Sequence, residues 1–258
     1  MKRLIAACMV LSVVFMSSVA TAQSDKPTIV LVHGAFADAS SWNGVIRILE
    51  DDGYPVVAVA NPLRSVQGDA QYLSNILSNI KSSVVLVGHS YGGSVISEAA
   101  NDNANVKALV YVAAFAPETG ETAAGLTGKF SGSTLGPALD LPVALSGGGE
   151  DLYVRQDKFH AQFAADVPEA DARLMAATQR PVTEAALHEA STAPAWKKTP
   201  AWFIYGDKDN NIPPQVFAFM AKRAHSRQTI VVQGASHVVM VSNPVRVARL
   251  IERAAVAK

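Results

Sequence analysis

The chain has 258 residues, 49% hydrophobic and 17% charged, which excludes a disordered polymer and suits one large domain or a domain with a small insertion. Its 22 Lys and Arg balance 22 Asp and Glu, so no net field draws nucleic acid or an anionic membrane surface, and a small, uncharged partner is expected.

At the amino terminus Lys2 and Arg3 precede an apolar run from Leu4 to about Ala20 that closes on Ala20-Thr21-Ala22. That order is the pattern of a cleavable secretory signal, so residues 1–22 are expected to be removed and residues 23–258 exported to a periplasm or the exterior. A retained anchoring helix is the alternative, because the run approaches bilayer length, but no basic stop-transfer flank follows it. A lipoprotein reading of "LIAAC" leaves too short an apolar region before Cys8, the one cysteine. With Cys8 lost in the signal, the mature chain holds no thiol for a disulfide, a nucleophile or a metal.

From Pro27 onward short β-branched runs alternate with helical segments, the pattern of a mostly parallel sheet with helices on both faces. The first strand is expected at 28–33, a helix at 40–53, a strand at 55–60 and a helix at 68–82. A strand at 83–88 leads directly into a helix at 91–103, and another strand spans 106–114. The strands' continuous apolarity predicts burial on both sides. The alternation then lapses from about 117 to 195, where Gly, Ser, Thr and Pro cluster. Such a stretch is too long for a connecting loop; with helical patterns at 151–165 and 169–179 it reads as a cap inserted into the sheet domain. Strands at 201–206 and 228–233 and helices at 213–224 and 243–255 complete the series, the last with Val245, Ala248, Leu250 and Ile251 as its apolar face.

The strand at 83–88 ends in Gly88-His89-Ser90-Tyr91-Gly92 and a helix follows at once. That is the setting of a nucleophile elbow, a strained turn that lifts a serine hydroxyl clear of the backbone. A hydroxyl is a weak nucleophile without a base beside it. His237, in the loop between the final strand and the last helix, is the candidate; His33 and His89 suit structural hydrogen bonds, while His160, His188 and His225 fall on expected helices as surface residues. The base needs a carboxylate to fix its tautomer, and Asp207 and Asp209 both follow the strand at 201–206. Asp209 is favoured, with Asp207 left to cap or solvate the turn. Acyl transfer also needs two oxyanion donors. Tyr91 N–H is expected to be one and an amide after the first strand the other, Ala35 ahead of Phe36, with Gly34 letting that loop come close.

The order Ser90, Asp209, His237 on successive strand ends resembles the α/β-hydrolase superfamily. "LVHGAFADASSW" with "GHSYGG" is most similar to its small-capped group of plant methyl-ester esterases and hydroxynitrile lyases. The resemblance implies an α/β-hydrolase fold, a Ser-His-Asp mechanism without cofactor or metal, and a cap-lined pocket; it supports Asp209, because the superfamily's Gly-x-x-Asp turn falls on Gly206 and Asp209. Plant lyases of this group carry Glu before the serine, Thr in the first loop and Lys after the histidine, whereas this chain has His89, Gly34 and Val238. Without that lysine a leaving cyanide has no cationic partner. Hydrolysis of a small, uncharged carboxylic ester is therefore the expectation, in a pocket lined by Phe36, Leu152, Tyr153 and Phe159. A lyase or cofactor-free perhydrolase on the same fold is the alternative, followed by a ligand receptor without turnover.

Overall fold

The structure is a computed structural model that describes residues 26–257; the expected signal and Cys8 lie outside the described residues. The first half alternates strand and helix: β1 (Thr28–Val32), α1 (Asn43–Asp51), β2 (Val56–Val59), α2 (Val66–Leu77), β3 (Val84–His89), α3 (Gly92–Ala99) and β4 (Val106–Val112). A long excursion follows, comprising α4 (Ala123–Gly128), α5 (Leu135–Ala138), β5 (Val143–Ala144), β6 (Glu150–Leu152), α6 (Gln156–Phe163), α7 (Glu169–Thr178), β7 (Val182–Thr183) and α8 (Glu184–His188). The chain then resumes the sheet with β8 (Ala201–Gly206), α9 (Pro214–Arg223), β9 (Gln228–Val232), α10 (Val239–Ser242) and α11 (Pro244–Val256).

Six strands form one parallel sheet in the order β2-β1-β3-β4-β8-β9, while β5, β6 and β7 make a small antiparallel sheet of their own. β1, β3 and β8 are buried along their whole length, as nearly continuous apolar strands demand when helices cover both faces. The edge strands differ from the sequence expectation. β2 and β9 alternate between shielded and exposed residues, leaving Val57 and Val231 open, because an edge strand gets less cover from flanking helices. α11 buries Val247, Ala248, Leu250, Ile251, Ala254 and Ala255, so Val245, expected on the buried face, stands outside it. The segment 151–165 also departs from the helical reading, with β6 ending at Leu152 and α6 starting only at Gln156.

The strand order reverses between β1 and β3, since the chain leaves β1 for β2 on one side and returns to β3 on the other. Loops leaving the carboxyl ends of these strands diverge there, which opens the crevice where parallel sheets hold ligands. No helix among the described residues is long and apolar enough to cross a membrane.

Candidate active site

Ser90 follows the last residue of β3 and holds φ at 52°, in the left-handed region. An L-residue pays roughly 1–3 kcal/mol to stay in such a conformation. Hydrogen bonds hold the corner on both sides: Ser90 N–H donates to Val112 C=O, and Ser90 C=O accepts from Gly93 and Phe115 N–H. The loop after β1 lies directly against it. A Cβ on Gly34 would stand 2.6 Å from Ser90 Cβ and 2.7 Å from His89 C=O, so only a residue without a side chain permits this approach.

On the other side of the crevice, His237 Nδ1 lies 2.6 Å from Asp209 Oδ2, with both side chains almost fully buried. The second carboxylate oxygen, Oδ1, accepts the N–H groups of Asn211 and Ile212 at 2.8 and 2.9 Å, which fixes the carboxylate plane. A carboxylate only accepts, so Nδ1 carries the proton and Nε2 presents its lone pair. The two loops that bring these residues together are in backbone contact: Lys208 N–H donates to Ala235 C=O, and a Cβ on Gly206 would fall 2.1 Å from that same oxygen. Asp207 goes elsewhere and accepts Gly234 N–H, so it secures the turn.

Ser90 and His237 share the wall of one cavity of about 390 Å³. Among the described residues Ser90 Oγ makes no hydrogen bond to His237; such contacts often close only when substrate is bound. Ala35 and Tyr91 line the cavity too, and neither amide has a backbone acceptor among the described residues. Phe36 N–H, in contrast, donates to Arg180 C=O at 3.0 Å, which leaves Ala35 as the available donor of that loop. The Tyr91 hydroxyl donates to the buried Asp69 carboxylate. Burial disfavours ionisation of both groups, raising the pKa of Asp69 above its ordinary range and that of Tyr91 well above its own.

The other histidines divide by environment. His33 is fully buried, with Nδ1 on Gly34 C=O and Nε2 accepting Asn61 N–H, and burial lowers its pKa to about 4. His89 is also fully buried and donates from Nε2 to His237 C=O; burial, reinforced by the neighbouring His237, holds it far below the usual range. The His89 and His237 ring centres are 4.8 Å apart, so a neutral His89 spares His237 a competing charge. His160 bonds Val167 C=O, and His225 lies past the end of α9 at φ 47° rather than on the helix. His188 is exposed at the end of α8 but lines the cavity, a placement its sequence context did not suggest.

Of the expected pocket residues, Phe36 and Leu152 line the cavity. Tyr153 and Phe159 do not. Phe159 is fully buried behind Phe163, ring centres 4.9 Å apart, and it is Phe163 that reaches the cavity. Tyr153 follows Leu152 in an extended run, where alternation turns successive side chains to opposite sides. The rest of the wall comes from the excursion, including Thr127, Leu135, Leu139 and Leu187, together with Phe115 and Ile212. Sequence reading also missed Ser236, whose hydroxyl donates to Asp166 at 2.5 Å and ties the His237 loop to the excursion. No cluster of His, Cys, Asp and Glu suited to a metal ion occurs among the described residues.

Residues 29–250 match the model of the alpha/beta hydrolase family, which spans every strand of the main sheet but the first residue of β1. The chain belongs to the alpha/beta hydrolase family. This hydrolase is 28% identical over 250 residues to "Alpha/beta hydrolase nvfD" of Aspergillus novofumigatus, a match covering 89% of this chain and 97% of the relative. Shorter matches reach an "Alpha-hydroxynitrile lyase" of Arabidopsis thaliana, 34% identical over 36% of this chain and 42% of the relative, and a "Carbendazim hydrolyzing esterase" of Nocardioides, 33% identical over 39% and 47%. Among solved structures, polyneuridine aldehyde esterase superposes with a TM-score of 0.76 at 18% identity, covering 88% of this hydrolase and 98% of that chain. The fold expected from sequence is thus the fold observed.

Proposed function

We propose that this hydrolase cleaves small, largely uncharged carboxylic esters through Ser90, His237 and Asp209. His237 Nε2 takes the Ser90 proton as Oγ attacks the ester carbonyl, and Asp209 holds the imidazole in the tautomer this requires and stabilises its charge. The amides of Ala35 and Tyr91 donate to the oxyanion. His237 returns the proton to the departing alcohol, and water then attacks the acyl-enzyme by the same route to release the acid. The observation that carries this reading is the 2.6 Å contact between two buried side chains, His237 and Asp209, on the same cavity as a serine held at φ 52°. The esterase-named relatives support the reaction class, and the apolar wall of the cavity supports an uncharged substrate. We propose export for the mature chain, on the pattern of residues 1–22 alone.

A lyase using the same residues is the second reading, favoured by the match to the hydroxynitrile lyase and opposed by Val238 where plant lyases of the group carry lysine. A panel of p-nitrophenyl and methyl esters with graded acyl groups, run on the wild type, Ser90→Ala and Asp209→Asn, tests the proposal. Ser90→Ala should abolish turnover and Asp209→Asn should lower kcat by about 10⁴. Turnover surviving both substitutions would sink the mechanism, and cyanide release from a cyanohydrin without ester cleavage would favour the lyase.

A further inference from the structure

A second hollow of about 440 Å³ lies beside the active-site cavity, between the start of α1 and the outer side of α7. Its wall includes Leu174, Met175 and Val241, with Asp38, Arg47 and Asp171 also contributing. Leu174 is exposed, so the hollow is a surface groove. One residue, Phe36, belongs to the walls of both this groove and the active-site cavity. Its backbone sits at φ 60°, a conformation that glycine would adopt at far lower cost. The position is clamped nonetheless: its N–H is bonded to Arg180 C=O just beyond α7, and its ring meets Phe163 edge-on with centres 6.1 Å apart. A strained backbone that carries a bulky ring between two hollows calls for a role for that ring.

We propose that Phe36 is a specificity-determining partition: it sets the longest ester arm the cavity admits, and the groove is the space a longer arm enters once the ring is removed. This inference rests on the ester-hydrolase reading for its substrate. Joining the two hollows roughly doubles the space next to Ser90. Leu174, Met175 and Val241 give an alkyl arm apolar surface to cover, and each methylene buried there improves binding about fourfold.

The test compares wild type, Phe36→Gly and Phe36→Leu on two ester series, one graded in the acyl arm and one in the alcohol arm, with thermal unfolding recorded for each protein. Phe36→Gly keeps a backbone suited to the positive φ. Phe36→Leu keeps apolar packing and a smaller wall, and decides the matter if the glycine variant does not fold. The expected result is that kcat/KM for wild type falls beyond a short arm in at least one series, and that the variants move the fall to longer arms, with about a fourfold gain per additional methylene. Filling the groove with Met175→Trp in the Phe36→Gly background should move it back. In parallel, binding of graded alkyl methyl ketones to Ser90→Ala, with and without Phe36→Gly or Phe36→Leu, reads the same length limit without turnover. If wild type cleaves no ester, the hydrolase reading fails while the ketone series still decides the partition. If esters are cleaved but the length profiles of wild type and folded variants superimpose in both ester series and in ketone binding, the partition is overturned and the hydrolase reading stands.

Discussion

Lowering the pH from 7 to 5 should cost this fold about 2 kcal/mol through His33 alone. Both imidazole nitrogens of His33 are committed in the neutral form, Nδ1 to Gly34 C=O and Nε2 as acceptor from Asn61 N–H. A second proton would set two donors against each other, and burial adds to that penalty, taking the pKa from 6.5 in the unfolded chain to about 4. The folded state therefore binds fewer protons than the unfolded one between these values, so stability is fully present above pH 6.5 and falls as pH drops towards 4. At pH 5 the unfolded imidazole is almost wholly charged and the folded one about one-tenth charged, which gives about 2 kcal/mol. His89 acts in the same direction, since its Nδ1 has no partner among the described residues and its Nε2 is already a donor. Urea unfolding followed by the fluorescence of the buried Trp42, Trp196 and Trp202 should show a midpoint nearly unchanged from pH 9 to 7 and lower by at least about 1 M at pH 5. A midpoint that holds steady down to pH 5, or a His33 ring resonance that titrates near 6.5, would refute the reasoning.

Gly34→Ala should push the β1 loop off the elbow, because the new Cβ meets Ser90 Cβ and a backbone oxygen; losing the Ala35 donor costs about 10²-fold in kcat, measurable with KM on a single ester. Gly206→Ala would drive its Cβ into Ala235 C=O at 2.1 Å and separate the Asp209 turn from the His237 loop, so both the unfolding midpoint and kcat should drop. Glu98 accepts hydrogen bonds from Ser191, Thr192 and Ala193; Glu98→Ala, which leaves those donors bare, should cost about 3 kcal/mol in denaturation, with Glu98→Gln costing less.

The six strands of the main sheet were legible because each is a short, mostly apolar run, β-branched in five of them and aromatic-rich in β8, and their ends shift by only a residue or two. The sharp corner at Ser90 was legible because its turn requires small neighbours at fixed spacing, and the family resemblance, through its Gly-x-x-Asp turn, singled out Asp209, the carboxylate that meets His237. The cavity wall was not. Thr127 and Leu135 sit in short helices of the excursion, and Leu139 just past one, whose sequence carries no sustained apolar period; Phe159 and Phe163 share one face of α6 a turn apart, and only the later turn borders the cavity. The alternative donors Ala35 and Phe36 were separable only through Arg180, more than a hundred residues away, whose carbonyl occupies one amide. Contacts across such sequence distances leave no local trace in composition or spacing.

The excursion departs after β4 and rejoins at β8, and these two strands are hydrogen-bonded neighbours from Leu109 and Ala201 onward. Because the two strands are parallel, it leaves at the carboxyl edge and re-enters at the amino edge, so its closing residues run down the face of the sheet, where Ser191 and Thr192 bond Glu98 of α3. β5, β6 and β7 form a sheet of their own, so the part that carries them can be lengthened, shortened or exchanged without altering a strand pairing of the main sheet. Ser90, Asp209 and His237 all stand outside that part, so under the proposed mechanism its exchange would reshape the cavity wall and leave the three side chains where they are.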